Sequence, residues 1–414
     1  MSSKKTTIGS CPAHWDVVKF SKVAELQHGY QFRTTDFTEQ GIKILKITQI
    51  KDNGCIDISS CSYIDSKRLK TFESNIVKKG DILMALSGAT IGKIGRYNSD
   101  EIVLQNYRVG NFVPHDERVL NKDYFYHFLS TEKVYFQILA NQNQSAQENV
   151  GKEDIHNILV FLPPLPEQTA IASVLNSLDD KIDLLHRQNA TLEKMAETLF
   201  RQWFLEEPRE EWDNGKVSDL IKILSGFAFK SISFVESGKY RLITIKGVQD
   251  GYLELNNADR IEELPDRMPD FCKLQIGDIL LSLTGNVGRC CLVDTNDLLL
   301  NQRVAKLHPI KERDRAFTYF LFRQPQIKQL LVEMGKGTAQ SNLSSIETSN
   351  MELIIPDEGK LNEFSAISTP WLNKILFNKR SIQTLVVLKE ILLPKLMNGE
   401  VSVELNKNED YKSL

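Results

Sequence analysis

The chain has 414 residues, 41% of them hydrophobic and 25% charged, with a formal net charge of −3. Those values suit a folded chain of about two to three domains and exclude a disordered, collagen-like or uniformly basic polymer. No apolar run approaches the roughly 20 residues that cross a bilayer, and Met1-Ser2-Ser3-Lys4-Lys5 leads into polar residues, not a signal-peptide core, so a cytoplasmic protein away from membranes is expected.

Strand-like runs come first. Residues 42–50, 81–86 and 101–113 are dense in Ile, Val, Leu and aromatics and are bounded by Gly, Asn and Asp, as strands between turns are. A helix is expected at 123–137, where Phe125, Phe128, Leu129 and Phe136 recur at helical spacing. Residues 15–162 thus read as one mixed α+β module.

Pro163-Pro164-Leu165-Pro166-Glu167-Gln168 then stops the last strand and leaves a proline suited to a first helical turn. The helix that follows is expected to reach about Phe204. Its seam, Ile171, Leu175, Leu178, Ile182, Leu185, Asn189, Leu192, Ala196, Leu199 and Trp203, advances by fours and threes, the heptad pattern of a coiled coil. Asn189 is either a tolerated polar residue near solvent or a pin that selects one helix register.

The remainder repeats this plan. Gly29, Gly41 and Gly80 return as Gly226, Gly238 and Gly277, each 197 residues on, and a period that long means a duplicated domain, not a solenoid unit. The second module spans 216–355, and Gly80-Asp81-Ile82-Leu83 reappears in it as Gly277-Asp278-Ile279-Leu280. A second seam follows, Phe364, Trp371, Ile375, Ile382, Leu385, Leu392 and Leu396, with Ser368, Asn378 and Lys389 as weaker positions and a stop at Asn398-Gly399. The expected fold is α+β: two similar α/β domains separated by two long helices that form an antiparallel coiled coil. At 1.5 Å per residue, a helix of about 40 residues makes a rod of roughly 60 Å.

No catalytic constellation emerges. Gly335-Lys336-Gly337-Thr338 lacks the spacing of a phosphate-binding loop, and Pro356-Asp357-Glu358-Gly359-Lys360 crowds its acids together where a nuclease would separate them. The six cysteines miss zinc-site spacing, and none of the seven histidines recurs at matching positions in both copies. No catalytic residue, metal site or cofactor is expected on this chain.

Binding residues are expected at the glycine turns. Ser87 and Lys93 in the first copy, and Thr284 and Arg289 in the second, combine hydroxyls, backbone amides and cations, the usual phosphate contacts. The glycines there are equally accounted for by positive φ. Arg108 and Arg303 follow in Asn106-Tyr107-Arg108-Val109 and Asn301-Gln302-Arg303-Val304. Polar loops late in each copy add Gln142 and Gln144, then Lys336 and Gln340, whose amides and amine suit base edges.

The doubled Gly-Asp-Ile-Leu segments, the paired Asn-x-Arg-Val segments and the Pro-Glu-Gln helix start together resemble the specificity subunits of type I restriction-modification systems, over almost the whole chain. The resemblance implies a noncatalytic DNA-specificity subunit. It divides the chain into target-recognition domains at 1–162 and 208–355, helical regions at 163–207 and 356–405, and a polar tail at 406–414. Each recognition domain would read half of a split, asymmetric site in double-stranded DNA. Two modification subunits carrying S-adenosylmethionine would dock on the helices and methylate adenine, and two restriction subunits would bring ATP and Mg. Pro356-Asp357-Glu358-Gly359 departs from the family's helix start and leaves the second docking surface open. The alternative is a coiled-coil scaffold whose two modules bind proteins and not DNA.

Overall fold

The computed structural model describes residues 2–142, 150–335 and 342–403. It mixes helices and strands and divides into two compact units, one of Met1–Asp180 with Val386–Leu414 and one of Lys181–Leu385.

In the first unit, the sheet that carries the core is antiparallel, in the order Ile94–Arg96, Ile82–Ala85, Val109–Pro114, Ala24–His28. A second sheet places Val103–Gln105 parallel to Ile42–Leu45. Phe20, Phe112, Phe125, Phe128 and Phe161 share one buried cluster. The module closes on itself, because Leu159–Leu162 pairs with Asp16–Lys19 and brings its two ends together.

The second unit repeats this frame. Ile221–Ser225, Val304–Pro309, Ile279–Ser282 and Cys290–Leu292 form the four-stranded sheet. Leu298–Leu300 runs parallel to Tyr240–Ile243, and Glu352–Ile355 closes on Asp213–Lys216. Matched glycines have matched reasons: Gly80 and Gly277 hold φ of 87° and 92°, a region that side chains with a Cβ rarely enter. A Cβ on Gly29 or Gly226 would collide with the carbonyl of Gln105 or Asn301. The aspartates of the two Gly-Asp-Ile-Leu segments are structural as well. Asp81 accepts from the Lys78 amide and Asp278 from the Gln275 amide, each at 2.8 Å.

Three expectations need adjustment. The single helix at 123–137 is two, Lys122–Leu129 and Glu132–Gln142. The hydroxyls of Ser130 and Thr131 donate to the Tyr126 and Phe128 carbonyls at 2.9 and 2.7 Å, and such local bonds compete with helix continuation. The strand at 42–50 ends at Leu45, where Gln49 folds back to accept from the Lys46 amide at 2.9 Å. The two Asn-x-Arg-Val segments are not strands throughout, since Val109 and Val304 donate to the Asn106 and Asn301 carbonyls in tight turns, each at 2.9 Å.

Two helices far exceed the rest, Leu165–Arg201 and Glu358–Met397. Within the first unit Ile171, Leu175 and Leu396 join the core, Leu178 and Leu392 are half-buried, and Lys389 reaches Asp179 at 2.5 Å. Within the second unit Leu185, Asn189, Ile375 and Ile382 are buried, while Ile182, Leu192, Leu199, Trp203, Trp371 and Leu385 are half-buried. The polar seam positions find each other there: Asn378 Nδ2 donates to Asn189 Oδ1 at 2.9 Å, and Asn189 Nδ2 reaches the Ile375 carbonyl at 3.4 Å. Asn189 is therefore no solvent-facing residue. Sliding these two helix segments by a turn would strand both buried amides, the effect expected of a register pin.

The Pro-Glu-Gln start is explained by its contacts. Glu167 accepts from the Trp15 indole at 2.8 Å and pairs with His14 at 2.8 Å. Gln168 is fully buried. It accepts from the Asn121 amide at 2.8 Å and donates to the Val119 and Pro163 carbonyls at 2.9 and 2.8 Å. In the second unit Asp357 serves Trp212, which lies 197 residues after Trp15, by accepting its indole N–H at 2.9 Å. The departure at Pro356-Asp357-Glu358-Gly359 thus keeps an indole acceptor. Gln168→Ala should cost about 2–4 kcal/mol, because it leaves buried backbone groups without partners. A urea midpoint equal to wild type would show that water or relaxation replaces all three bonds.

Candidate nucleic-acid interface

The two glycine turns have the same backbone. Gly88 and Gly92 hold φ of 70° and 81°, Gly285 and Gly288 hold 73° and 82°. Ala85 N–H donates to the Lys93 carbonyl at 3.0 Å, and Ser282 N–H does the same to Arg289 at 2.9 Å. Positive φ therefore accounts for the glycines, and the side chains must be judged separately.

Most of those side chains already have partners. Lys93 pairs with Asp52 at 2.6 Å, which cancels its charge locally. Arg289 donates from Nη1 to Gln249 Oε1, a neutral partner, and makes no ion pair among the described residues. Asp52 and Gln249 stand 197 residues apart, so this tie between two turns is itself duplicated. Thr284 is buried and donates to Asn342 Oδ1 at 2.9 Å. Ser87 is buried too, and its hydroxyl oxygen has no partner among the described residues. These contacts mark a braced turn more than an open set of donors.

Arg108 and Arg303 differ. Both are exposed, and both sit on the tight turn begun by Asn106 or Asn301. That turn is held from the neighbouring strand, since Leu86 N–H donates to the Arg108 carbonyl at 2.9 Å and Leu283 N–H to that of Arg303 at 3.1 Å. It is also tied to the start of the module, because Asn106 bridges Tyr30 and Asn301 bridges Phe227. Arg303 has no side-chain partner among the described residues. Arg108 Nε donates to Tyr107 Oη at 2.7 Å, with the guanidinium 5.3 Å from the ring centroid. Tyr30 lies beside this turn, 44% exposed, and packs on Phe32 and Phe72 at 5.1 and 4.8 Å.

Gln144, Lys336 and Gln340 lie outside the described residues, and so does the side chain of Gln142, which ends the helix Glu132–Gln142. Sequence reasoning missed Asp52, Gln249 and Tyr107. The first two were within reach, since they occupy equivalent places in the segments 41–54 and 238–251 that repeat at 197. Among the described residues, no group of His, Cys, Asp and Glu is placed to hold a metal, and no helix is long and apolar enough to cross a membrane.

The chain is thus a duplicated mixed fold, with an exposed arginine on the same braced turn in each copy. Residues 12–194 and 209–384 match the family model for the type I restriction modification DNA specificity domain, and the chain belongs to that family. It is 26% identical to the type I restriction enzyme MjaIX specificity subunit of Methanocaldococcus jannaschii, over 97% of this chain and 96% of that one. It is 22% identical to the HindI specificity subunit of Haemophilus influenzae, over 82% and 91%. The crystal structure of a type I restriction-modification system S subunit from M. genitalium shares the fold, with a TM-score of 0.56 and 15% identity over 92% of this chain and 96% of that one. The chain is a specificity subunit of a type I restriction-modification system.

Proposed function

We propose that the chain reads a bipartite, asymmetric site in double-stranded DNA, with one half assigned to each recognition domain, 1–162 and 208–355. The helical regions 163–207 and 356–405 pair as an antiparallel coiled coil, set the spacing of the half-sites and dock two modification subunits. Those subunits carry S-adenosylmethionine and methylate adenine, and two restriction subunits add ATP- and Mg-dependent translocation and cleavage in the cytoplasm. The chain itself is noncatalytic. The observation that carries this reading is the duplicated presentation of Arg108 and Arg303 on one braced turn, since arginine is suited to both phosphate and guanine contacts.

Deleting the gene should erase one bipartite adenine-methylation motif from the source genome. A methylome that keeps every motif would reject the assignment. Binding is expected to need the modification subunits and to weaken with salt, whereas a protein-binding scaffold would show no salt-sensitive DNA affinity. Replacing Arg108 or Arg303 by Ala should lower the slope of log K against log salt by up to about 0.9 for each lost phosphate contact. Unchanged affinity and slope in both variants would remove the two arginines from the interface. Lys93→Ala should change the slope less, because Asp52 already offsets that charge.

A further inference from the structure

We infer that Arg108 reads a guanine in the half-site of the first domain, and that Tyr107 is the positioning residue that aims it. The inference deepens the DNA-reading proposal and rests on it. Three restraints act on this arginine. Its carbonyl is held by the Leu86 amide at 2.9 Å, its own N–H donates to Asn106 Oδ1 at 3.2 Å, and its Nε is engaged by Tyr107 Oη at 2.7 Å. Tyr107 is anchored in turn, its N–H donating to the Tyr30 carbonyl at 3.0 Å.

The consequence lies in what remains free. With Nε committed, Arg108 keeps its two Nη groups without partners among the described residues, at the outer end of a fixed guanidinium plane. Two coplanar donors in that arrangement fit the O6 and N7 acceptors that guanine presents in the major groove. A phosphate contact would be the same at every sequence, so only a base contact turns this aimed pair of donors into discrimination. Holding the side chain beforehand also lowers the ordering cost of binding.

The second domain supplies an internal comparison. Gln302 stands at the place of Tyr107, and Arg303 has the same backbone brace, from the Leu283 amide at 3.1 Å, without a side-chain support. Arg303 therefore contacts the DNA backbone and carries no base preference. The two half-sites are read by different chemistry at equivalent positions of one frame.

The test is the methylation motif written by the full complex with the wild-type chain and with Tyr107→Phe, Arg108→Met and Arg303→Lys. The expected result is relaxation at one guanine position of the first domain's half-site in the first two variants, with discrimination falling about tenfold, and an unchanged motif in Arg303→Lys. A duplex with 7-deazaguanine at that position should weaken binding of the wild-type complex and leave Arg108→Met, which has no donor for N7, unaffected. Melting temperatures equal to wild type exclude a folding defect, and Arg108→Met, with its turn held by backbone bonds, keeps the test decisive if Tyr107→Phe melts early. A normal bipartite motif whose guanines are all retained in Arg108→Met overturns this inference and spares the DNA-reading proposal. The absence of any bipartite motif with the wild-type complex overturns both.

Discussion

Exchanging residues 15–162 for the equivalent domain of another specificity subunit is expected to change one half of the methylated motif completely and leave the other half intact. The physical basis is closure of the domain. Asp16–Lys19 pairs with Leu159–Leu162, so the chain enters and leaves at one place, and the core sheet between them is complete without strands from elsewhere. A donor domain must supply an indole at the position of Trp15, because Glu167 accepts its N–H at 2.8 Å and lies beyond the exchanged segment. Methylome sequencing of cells that carry the chimaera reads the outcome directly. A change in both halves would refute independent reading by the two domains.

Acidification should loosen the first unit well before its carboxylates titrate. His127 is fully buried, and burial is the main cause that lowers its pKa from 6.5 to about 3. Its tautomer follows from its neighbours. Asn176 Nδ2 donates to Asp123 at 2.9 Å, which turns Asn176 Oδ1 toward His127 Nε2 at 2.8 Å. Nε2 therefore carries the proton, and Nδ1 has no partner among the described residues. The folded pKa is depressed, so the unfolded chain takes up the proton first. The contribution of His127 is present above pH 6.5 and is lost as pH falls toward 3. Between pH 6.5 and 5 the loss should be about 1–2 kcal/mol, a window that lies above the ordinary carboxylate pKa values. His127→Phe should flatten this dependence, measured by urea titration with proteolysis within 122–142 as the local readout. Equal losses in variant and wild type would assign the acid sensitivity elsewhere. His186, whose pKa burial also lowers, lies in the other unit and is separated by that readout.

The sequence by itself determined what depends on local pattern and on repetition. Gly29, Gly80 and their partners 197 residues later announced a duplicated frame, since a turn of positive φ or a close backbone approach admits little else. The four-three spacing from Ile171 to Trp203 announced a long helix with one apolar stripe, because periodicity maps directly onto helix faces. Only the tertiary structure decided which polar groups were already satisfied. Lys93 looked like a free cation until Asp52, 41 residues earlier, reached it. Gln168 entered only as part of a helix start and proved to be a buried tie among Asn121, Val119 and Pro163. Asn189 could not be placed until Asn378 stood opposite. A side chain's partner at long sequence separation depends on how turns and helices are brought together, and neither composition nor spacing encodes that. The separation of Arg108 and Arg303 from the other cations is for the same reason a tertiary result: their neighbours leave them donors to spare.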